Sequence, residues 1–308
     1  TAGTKSWPSM GASEGPQRID DLWHATVNSR GSFVAAKNPT QFATALRSAL
    51  LDISARTANV SNVSASSSSL TTSTYVYQAS FRTGSTSGSW SGDVAAYKLD
   101  ADGNIPVDGN GKAVASWKAS EHVPLAGARK IYFLQGTNTV EFNTSNLTTA
   151  QKTTLGGDDV VNYLRGDQSK EVSNGGALRN RYAYTGKAPL GDVVNSSPVF
   201  DATTNTVYFG ANDGMLHAVN AATGEERFAI VPTTVFPTLK DIADPLYPHH
   251  FYVDGDIALS NKTLFGNSVL VAALGRGGKA VFAVDVTDAS NPKILWEYTD
   301  TELGLVLG

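Results

Sequence analysis

The sequence reads VYFGANDG at residues 207–214 and continues as MLHAVN at residues 215–220. Thr223 and Gly224 follow, and Phe228 lies four residues after Gly224. Both runs contain β-branched or aromatic residues, and a Gly-containing turn separates them. This order predicts a strand, a tight turn, a second strand, a second turn and a third strand.

Two other parts of the chain repeat this order. Residues 269–271, 275–278 and 281–286 precede Trp296, and residues 90–93 and 94–100 precede Trp117. In each copy, a Gly-containing turn leads into a strand that ends in Asn or Asp. A large aromatic residue closes the next strand, as hairpins stacked into the blades of a propeller require.

These repeats predict an all-β chain, specifically a partial β-propeller of four-stranded blades preceded by a short helical segment. We expect Met215, Ala218, Phe282 and Val284 to lie in the cores of successive blades. Closure of a propeller takes roughly four to eight blades, and the repeats account for about three or four. The propeller is therefore expected to be incomplete at its C-terminal end, with an apolar blade face left for other sequence to cover.

Composition predicts three segments. Residues 1–56 contain one amphipathic helix, which Thr40 caps and whose apolar residues recur at helical spacing. Residues 57–74 are rich in Ser and Thr and poor in large apolar groups, so they predict a flexible linker. Residues 75–308 are predicted to form the N-terminal part of the propeller.

Charge and cysteine content exclude several classes of function. The net charge is −4 and the Lys and Arg residues are scattered, which argues against a nucleic-acid-binding face. The chain has no Cys, so disulfides and thiolate metal sites are excluded. No run of about 18 apolar residues is present, so we expect no membrane span. The chain begins without a signal-peptide pattern and ends within an apolar pattern, and we expect both ends to be cut.

The repeat at residues 207–228 resembles the repeat of quinoprotein-type propellers. Further blocks resemble the PilC/PilY-type proteins of the type IV pilus tip. These blocks are DDLWHATVNSRG at residues 20–31, YLRGD at 163–167, LGDVVNSSPV at 190–199, HFYVDG at 250–255, and the segment 275–286. They occur in one order over nearly the whole chain, so the sequence is identified as a member of this family.

The resemblance implies a large exported protein with an N-terminal von Willebrand A-like region and a C-terminal propeller. Its expected location is the pilus tip, the cell surface or the outer membrane. The implied function is that of a type IV pilus biogenesis factor and tip adhesin, which binds minor pilins or a host surface and opposes pilus retraction. The implied protein is not an enzyme.

Two alternatives stay open. One is a quinone-dependent oxidoreductase of the PQQ type, which shares the propeller repeat. Such an enzyme needs a carboxylate base and a calcium-bound cofactor in the channel of a complete ring, so no PQQ is expected here. The other alternative is a generic scaffold for envelope assembly.

A candidate calcium loop lies between two copies of the repeat. Asp100, Asp102, Asn104 and Asp108 place oxygen side chains at loop positions one, three, five and nine, as calcium loops do. Position six is Ile105 rather than Gly, and position twelve is not a Glu. The alternative is a polar hairpin built from two Asp-Gly turns.

Arg165, Gly166 and Asp167 form the tripeptide that integrins read on an exposed turn. The alternative is a structural block, in which Arg165 or Asp167 pairs with a neighbour such as Glu171 or Arg179. Short motifs occur often by chance, so both interpretations are kept.

Three further motifs are interpreted as structural. Gly-x-Ser-x-Gly at residues 11–15 lacks the strand and helix that a nucleophile elbow needs. His217 lies within a predicted strand and is expected to be packed and hydrogen-bonded. None of the five histidines has a carboxylate at metal-ligand spacing. The Gly-rich segment 275–278 is interpreted as a hairpin turn rather than a dinucleotide site.

Overall fold

The structure is a computed structural model that describes residues 59–65, 74–83, 90–100, 102–183, 185–260 and 262–305. The chain divides into two compact units, Thr1–Arg56 and Thr57–Gly308, and every described residue lies in the second. The predicted helix after Thr40 and most of the Ser-rich stretch of the predicted linker lie outside the described residues. The predicted helix and the boundaries of the three segments therefore stay a prediction.

Within these ranges, fourteen strands form three sheets. The first sheet contains β1 (Asn59–Ala65), β2 (Tyr75–Arg82), β3 (Ser91–Lys98) and β4 (Trp117–Lys118). The second contains β5 (Ile131–Gln135), β6 (Asn138–Glu141), β7 (Val199–Asp201), β8 (Thr206–Ala211), β9 (Met215–Asn220) and β10 (Glu226–Ile230). The third contains β11 (Ile257–Leu259), β12 (Val269–Ala273), β13 (Ala280–Asp285) and β14 (Lys293–Thr299).

The described helices are short. Four are α-helices: α1 (Thr149–Thr154), α2 (Asp158–Leu164), α3 (Phe236–Leu239) and α4 (Lys262–Phe265). Five are single 3₁₀ turns: Ala119–Glu121, Val172–Asn174, Thr233–Val235, Lys240–Ala243 and Gly275–Gly277. The described part of the chain is therefore mostly β, as the repeats predict.

The first and third sheets are antiparallel meanders whose strands lie in chain order. The second sheet has the order β6-β5-β10-β9-β8-β7 and so differs from the predicted four strands. Its last four strands form such a meander, and the hairpin of β5 and β6 adds to the free edge of β10. The junction is parallel, with Ile131 paired to Ala229.

Strand β1 corrects part of the linker prediction. Residues 59–65, which fall within the predicted linker, pair antiparallel with β2 in a ladder that contains an irregularity between Val60 and Val63. Composition predicts low apolar burial here, but the backbone N–H and C=O groups find partners in a neighbouring strand. A segment with few large side chains can therefore still be a strand when a sheet edge lies beside it.

Alternation along β8 places the second sheet between two cores. Val207 and Phe209 belong to a core shared with the first sheet, whereas Tyr208 belongs to a core shared with the third. Successive side chains of a strand point to opposite faces, so a strand covered on both faces is apolar throughout. All six residues of β8 are buried accordingly.

The predicted core residues are confirmed. Met215, Ala218, Phe282 and Val284 are all buried in the core between the second and third sheets. The Gly-rich segment 275–278 joins β12 to β13, as the hairpin interpretation requires. No helix among the described residues has the length and apolar character needed to cross a membrane.

Trp117 attaches the first sheet to the second. Its Nε1 donates a hydrogen bond to the carbonyl oxygen of Ala221, at 2.9 Å. Its ring lies against Gly224, where an added Cβ would come within 2.6 Å of Trp117 Cε3. Gly224 also has a φ of +76°, so the turn between β9 and β10 needs a glycine for two independent reasons.

Candidate functional site

A buried cluster of four charged side chains lies at one end of the second sheet. Arg129 donates to both carboxylate oxygens of Glu226, from Nε to Oε2 and from Nη2 to Oε1, each at 2.7 Å. His217 Nδ1 lies 2.9 Å from Glu226 Oε1, and His217 Nε2 lies 3.1 Å from Asp213 Oδ1. The side chains of Arg129, Glu226 and His217 are almost fully buried.

Each member of this cluster comes from a different local element. Arg129 lies just before β5, Glu226 begins β10, His217 lies in β9, and Asp213 lies in the turn between β8 and β9. Phe209 of β8 stacks on the His217 ring, with centroids 5.2 Å apart. The cluster therefore ties the added hairpin to the meander and fixes the turn at residues 212–214.

Mutual pairing sets the charges of the cluster. Burial alone would lower the pKa of His217, but the carboxylates of Asp213 and Glu226 outweigh burial and raise it to about 9. Burial alone would raise the pKa of Glu226, but Arg129 and His217 lower it to about 2. Burial likewise opposes ionisation of Asp213, and His217 and Arg129 hold its pKa below the usual value. Two cations and two anions therefore offset one another near neutral pH.

The stability of the fold is expected to fall as pH rises from about 6.5 to 9. The pKa of His217 is raised in the folded state, from 6.5 to about 9, so its stabilising contribution is complete below 6.5 and is lost as pH passes through 9. The contribution is on the order of 3 kcal/mol. Unfolding free energies measured across this range, with NMR titration of the His217 ring, check it. A His217 pKa near 6.5, or stability that is level between pH 6 and pH 9, would contradict it.

A second network joins loops at the same end of the sheets. Asp192 Oδ2 accepts hydrogen bonds from Asn212 Nδ2, at 2.8 Å, and from His249 Nε2, at 2.7 Å. Asp213 Oδ2 accepts from the Gly191 N–H at 3.0 Å. Asn212 Oδ1 in turn accepts from the N–H of Tyr252, at 3.0 Å. The turn at residues 212–214 is thus held on both sides by loops from other parts of the chain.

A pocket opens beside this network. Its walls include Trp90, Arg179, Tyr182, Asp192 and Asp213. The carboxylates hold the walls in place: Asp213 bonds to His217, and Asp192 bonds to His249, whose ring stacks on Trp90 with centroids 3.9 Å apart. These bonds give both carboxylates a structural role in positioning the loops.

Arg165 of the tripeptide lies in the interior. Its guanidinium donates to the carbonyl oxygens of Ala126, at 3.1 Å, of Arg129, at 3.0 Å, and of Phe142, and it lies 3.5 Å from Glu141 Oε1. The predicted partners Glu171 and Arg179 are therefore replaced by other groups. Because integrins read an exposed guanidinium, this geometry supports the structural interpretation of the tripeptide.

The other two residues of the tripeptide also serve the fold. Gly166 has a φ of +111°, and an added Cβ would come within 2.5 Å of the Cβ of Ala188. Asp167 Oδ1 accepts from the Ser169 N–H at 2.8 Å, and its Oδ2 accepts from Ser169 Oγ at 3.0 Å. Asp167 thus caps the turn that follows α2.

Replacing Asp167 with glutamate is expected to leave adhesion to integrin-bearing cells unchanged and to cost less than about 1 kcal/mol of stability, because only a turn contact changes. Cell-adhesion counts and a thermal melt of the same preparation check this. Arg165→Ala serves as the comparison, because it empties a buried position and should destabilise the fold strongly. A selective loss of adhesion in Asp167→Glu, with an unchanged melting temperature, would restore the integrin interpretation.

The candidate calcium residues belong to two separate turns. Asp100 Oδ1 accepts from the N–H groups of Asp102, at 3.0 Å, and Asn104, at 2.8 Å. Asp108 Oδ1 accepts from the N–H groups of Asn110, at 2.9 Å, and Lys112, at 3.0 Å. These two backbone bonds lower the pKa of Asp108, with Lys112 contributing the larger effect.

The second of these turns closes a small hairpin, because Val107 pairs with Ala113. This is the hairpin alternative that the sequence offers. In the part of the chain that the structure describes, no group of three or more His, Asp or Glu side chains is placed to hold a metal ion. The present arrangement does not assemble a complete calcium ligand set, so calcium binding stays a prediction.

Comparison with known proteins places these sheets in a family. Residues 160–304 match the family model described as the PilY1 beta-propeller domain, and this range contains the second meander and the whole third sheet. The matched region is therefore a β-propeller domain of the PilY1 type.

Curated relatives extend the match to most of the chain. A type IV pilus biogenesis factor PilY1 homolog of Xylella fastidiosa is 36% identical over 79% of this chain and 21% of its own length. The type IV pilus biogenesis factor PilY1 of Pseudomonas aeruginosa strain UCBPP-PA14 is 32% identical over 98% of this chain and 30% of its own length. The chain belongs to the PilY1-type family of pilus factors, and it spans less than a third of the length of these relatives.

A solved structure matches part of the chain. The crystal structure of the Pseudomonas aeruginosa PilY1 C-terminal domain is 42% identical over 30% of this chain and 18% of that chain, with a TM-score of 0.24.

The charge cluster was missed in the sequence because its members are far apart. Arg129 and Glu226 are separated by 97 residues, so no local pattern joins them. One signal was available: Asp213 and His217 are four residues apart across a predicted tight turn, a spacing that lets the two side chains meet. The expectation that His217 is packed and hydrogen-bonded is confirmed, with Asp213 and Glu226 as its partners.

Proposed function

We propose that the chain is a non-enzymatic scaffold of the type IV pilus machinery, built as an open propeller of four-stranded blades. The observation that carries this proposal is the match of residues 160–304 to the PilY1 beta-propeller domain. The names of the curated relatives supply the process, which is pilus biogenesis. The three stacked meanders support the blade interpretation, with the hairpin of β5 and β6 as an addition to the middle blade.

The packing suits a load-bearing role. The second sheet is covered on both faces, and the charge cluster pins its turn at residues 212–214. A rigid scaffold can hold variable loops in fixed positions for binding. We infer that such loops bind minor pilins, a host surface or both, and that the scaffold opposes pilus retraction from the pilus tip or cell surface.

Complementation of a strain whose own PilY1-type factor has been deleted, and which has lost its surface pili as a result, tests this proposal. The intact parent polypeptide is expected to restore surface pili and to retain purified minor pilins in a pull-down. Glu226→Gln, which disrupts the buried cluster, should reduce both readouts, whereas Glu225→Gln at the exposed neighbouring position should not. Normal piliation without this polypeptide, or no retention of minor pilins by the folded protein, would contradict the proposal.

A quinone-dependent oxidoreductase is the alternative function that an activity assay can distinguish from a scaffold. Such an enzyme needs an available carboxylate base beside its cofactor. Asp213 and Glu226 are instead bonded to His217 and Arg129, which supports the scaffold. Incubation of the protein with PQQ, calcium, an alcohol and a redox dye is expected to give no turnover, and dye reduction that depends on PQQ would overturn the proposal.

We propose separately that calcium binds weakly near Asp100. The side chains of Asp102 and Asn104 are exposed there, so they are available to an ion. With so few ligands, we expect a Kd of roughly 10⁻⁴ to 10⁻³ M. Calcium at a concentration of ten times that Kd is expected to stabilise the fold by about 1.4 kcal/mol, which raises Tm by a few degrees. Asp102→Asn should reduce this increment and keep both turns, because Asp102 contributes only its N–H to them.

Thermal melts with and without calcium make the comparison, and Asp159→Asn, at an exposed site elsewhere, is the control. Equal calcium responses in the original chain and both variants would show that calcium is not held at this turn.

A further inference from the structure

The loop that follows β6 contains a pattern that oligosaccharide transferases recognise. Asn143, Thr144 and Ser145 fit Asn-x-Ser/Thr, the acceptor pattern for N-linked sugars. The same pattern begins at six asparagines of the chain: Asn59, Asn62, Asn143, Asn146, Asn195 and Asn261. Among them, Asn143 alone has an acidic residue two positions before it, which is Glu141. Bacterial transferases of this class select for a carboxylate at that position, so the sequence distinguishes Asn143 from the other five.

The loop lies at the border of the second sheet. Glu141 is the last residue of β6, which is the terminal strand of this sheet, and Thr148 caps α1 at the other end of the loop. Glu141 and Ser145 are exposed, and Asn143 and Thr144 are half-buried. A transferase can therefore approach the pattern without opening the sheet.

The amide of Asn143 is held by its oxygen. Asn143 Oδ1 accepts hydrogen bonds from the N–H groups of Ser145, at 3.1 Å, and Asn146, at 3.0 Å. Among the residues that the structure describes, none accepts a hydrogen bond from Asn143 Nδ2, the atom to which an N-linked sugar is attached. Asn146 differs, because its Nδ2 donates to the carbonyl oxygen of Glu141, at 3.0 Å. Two neighbouring acceptor patterns thus differ in whether the reacting nitrogen is available.

We propose that Asn143 is an acceptor site for an N-linked oligosaccharide. In the transfer, Asn143 Nδ2 forms a bond to C1 of the first sugar, and the bond between C1 and an oxygen of a polyprenyl diphosphate carrier breaks. The carrier leaves as the diphosphate with the electron pair, and the transferase takes one proton from Nδ2. This inference rests on the proposed location at the cell surface, because transferases of this class act on exported chains.

An oligosaccharide at this position has a physical consequence for the second sheet. A terminal strand is a place where another chain can pair. Attached sugars are bulky and hydrated. An oligosaccharide on Asn143, two residues beyond the end of β6, therefore hinders another strand from pairing along β6.

Mass spectrometry of the exported, intact parent polypeptide tests the proposal. The polypeptide is produced in bacterial cells that contain such a transferase and a polyprenyl-diphosphate-linked oligosaccharide of known mass. Trypsin cleavage after Lys130 and Lys152 releases one peptide that contains both Asn143 and Asn146. This peptide is expected to gain the mass of one oligosaccharide, and fragmentation is expected to place it on Asn143.

Ser145→Ala is the decisive variant, because it removes the hydroxyl that the transferase reads. It keeps the turn, since Ser145 contributes only its N–H to Asn143. The added mass should be lost in Ser145→Ala and kept in the matched control Thr144→Ala. Glu141→Gln should lose most of the modification, and Glu141→Asp, which restores a carboxylate, should recover it. Thermal melts of each variant confirm that it is folded.

Three results would overturn the proposal. One is an unmodified peptide from cells that modify a known acceptor protein. Another is equal modification of the original chain and Ser145→Ala, and the third is an oligosaccharide located on Asn146 instead. Each of these leaves the pilus assignment intact, because export and the transferase are supplied in this experiment and the pilus role is tested by complementation.

Discussion

Replacing Glu226 with glutamine is expected to lower the free energy of unfolding by about 3–5 kcal/mol, the usual effect of removing one partner from a buried ion pair. Glutamine has nearly the same shape as glutamate but carries no charge. Arg129 and His217 would then be two buried cations with Asp213 as the remaining anion. For a unit of about 250 residues, this corresponds to a fall in Tm on the order of 10 °C. Thermal melts and urea unfolding at pH 7 measure the change.

Glu225 provides the matched control, since it is adjacent in sequence and exposed. Glu225→Gln makes the same chemical change and is expected to shift the unfolding free energy by no more than about 0.5 kcal/mol. Equal and small effects of the two substitutions would mean that the cluster contributes little, as some buried ion pairs do when their desolvation cost equals their attraction.

Replacing Trp117 with alanine is expected to destabilise the fold by about 3–5 kcal/mol, because a large buried side chain leaves a cavity between two sheets. The substitution also leaves the carbonyl oxygen of Ala221 without the indole N–H that it accepts. Unfolding in urea, followed by circular dichroism, gives the free energy. Trp117→Phe separates the two effects, since it retains most of the ring volume but not the N–H.

Trp296 supplies the control at the equivalent position of the third sheet. Because Trp296 is 42% exposed, Trp296→Ala should cost about 1 kcal/mol or less in this chain. If Trp296→Ala proves as costly as Trp117→Ala, the exposed aromatic surface of the third sheet is already covered in solution, and the contrast between the two residues fails.

The repeated elements of the fold were predictable from sequence. Strands β8, β9 and β13 lie where the sequence predicts them, at runs of apolar residues separated by Gly-containing turns. Such runs are typical of strands that are buried on both faces. The equivalence of Trp117 and Trp296 was also visible as a spacing. The spacing could not show which of the two tryptophan side chains is buried, because burial depends on the sheet that packs beside it.

Other features escaped prediction for physical reasons. The linker prediction misjudged β1, because low apolar content says nothing about a vacant strand edge beside it. The Arg165 tripeptide gave no indication of its burial, because its partners are backbone carbonyls from residues 126, 129 and 142. Carbonyl groups are present at every residue, so their convergence on one guanidinium leaves no trace in the sequence.

The parallel pairing of Ile131 with Ala229 has a consequence for how the chain folds. The partners are 98 residues apart, from 229 minus 131, so this contact raises the contact order of the second sheet. At about 5–20 residues per second of synthesis, the hairpin of β5 and β6 waits roughly 5–20 s for β10 to emerge from the ribosome. During that interval its inner edge has unpaired backbone groups and Phe133 lacks its core, so this hairpin is where we expect chaperones to bind the nascent chain.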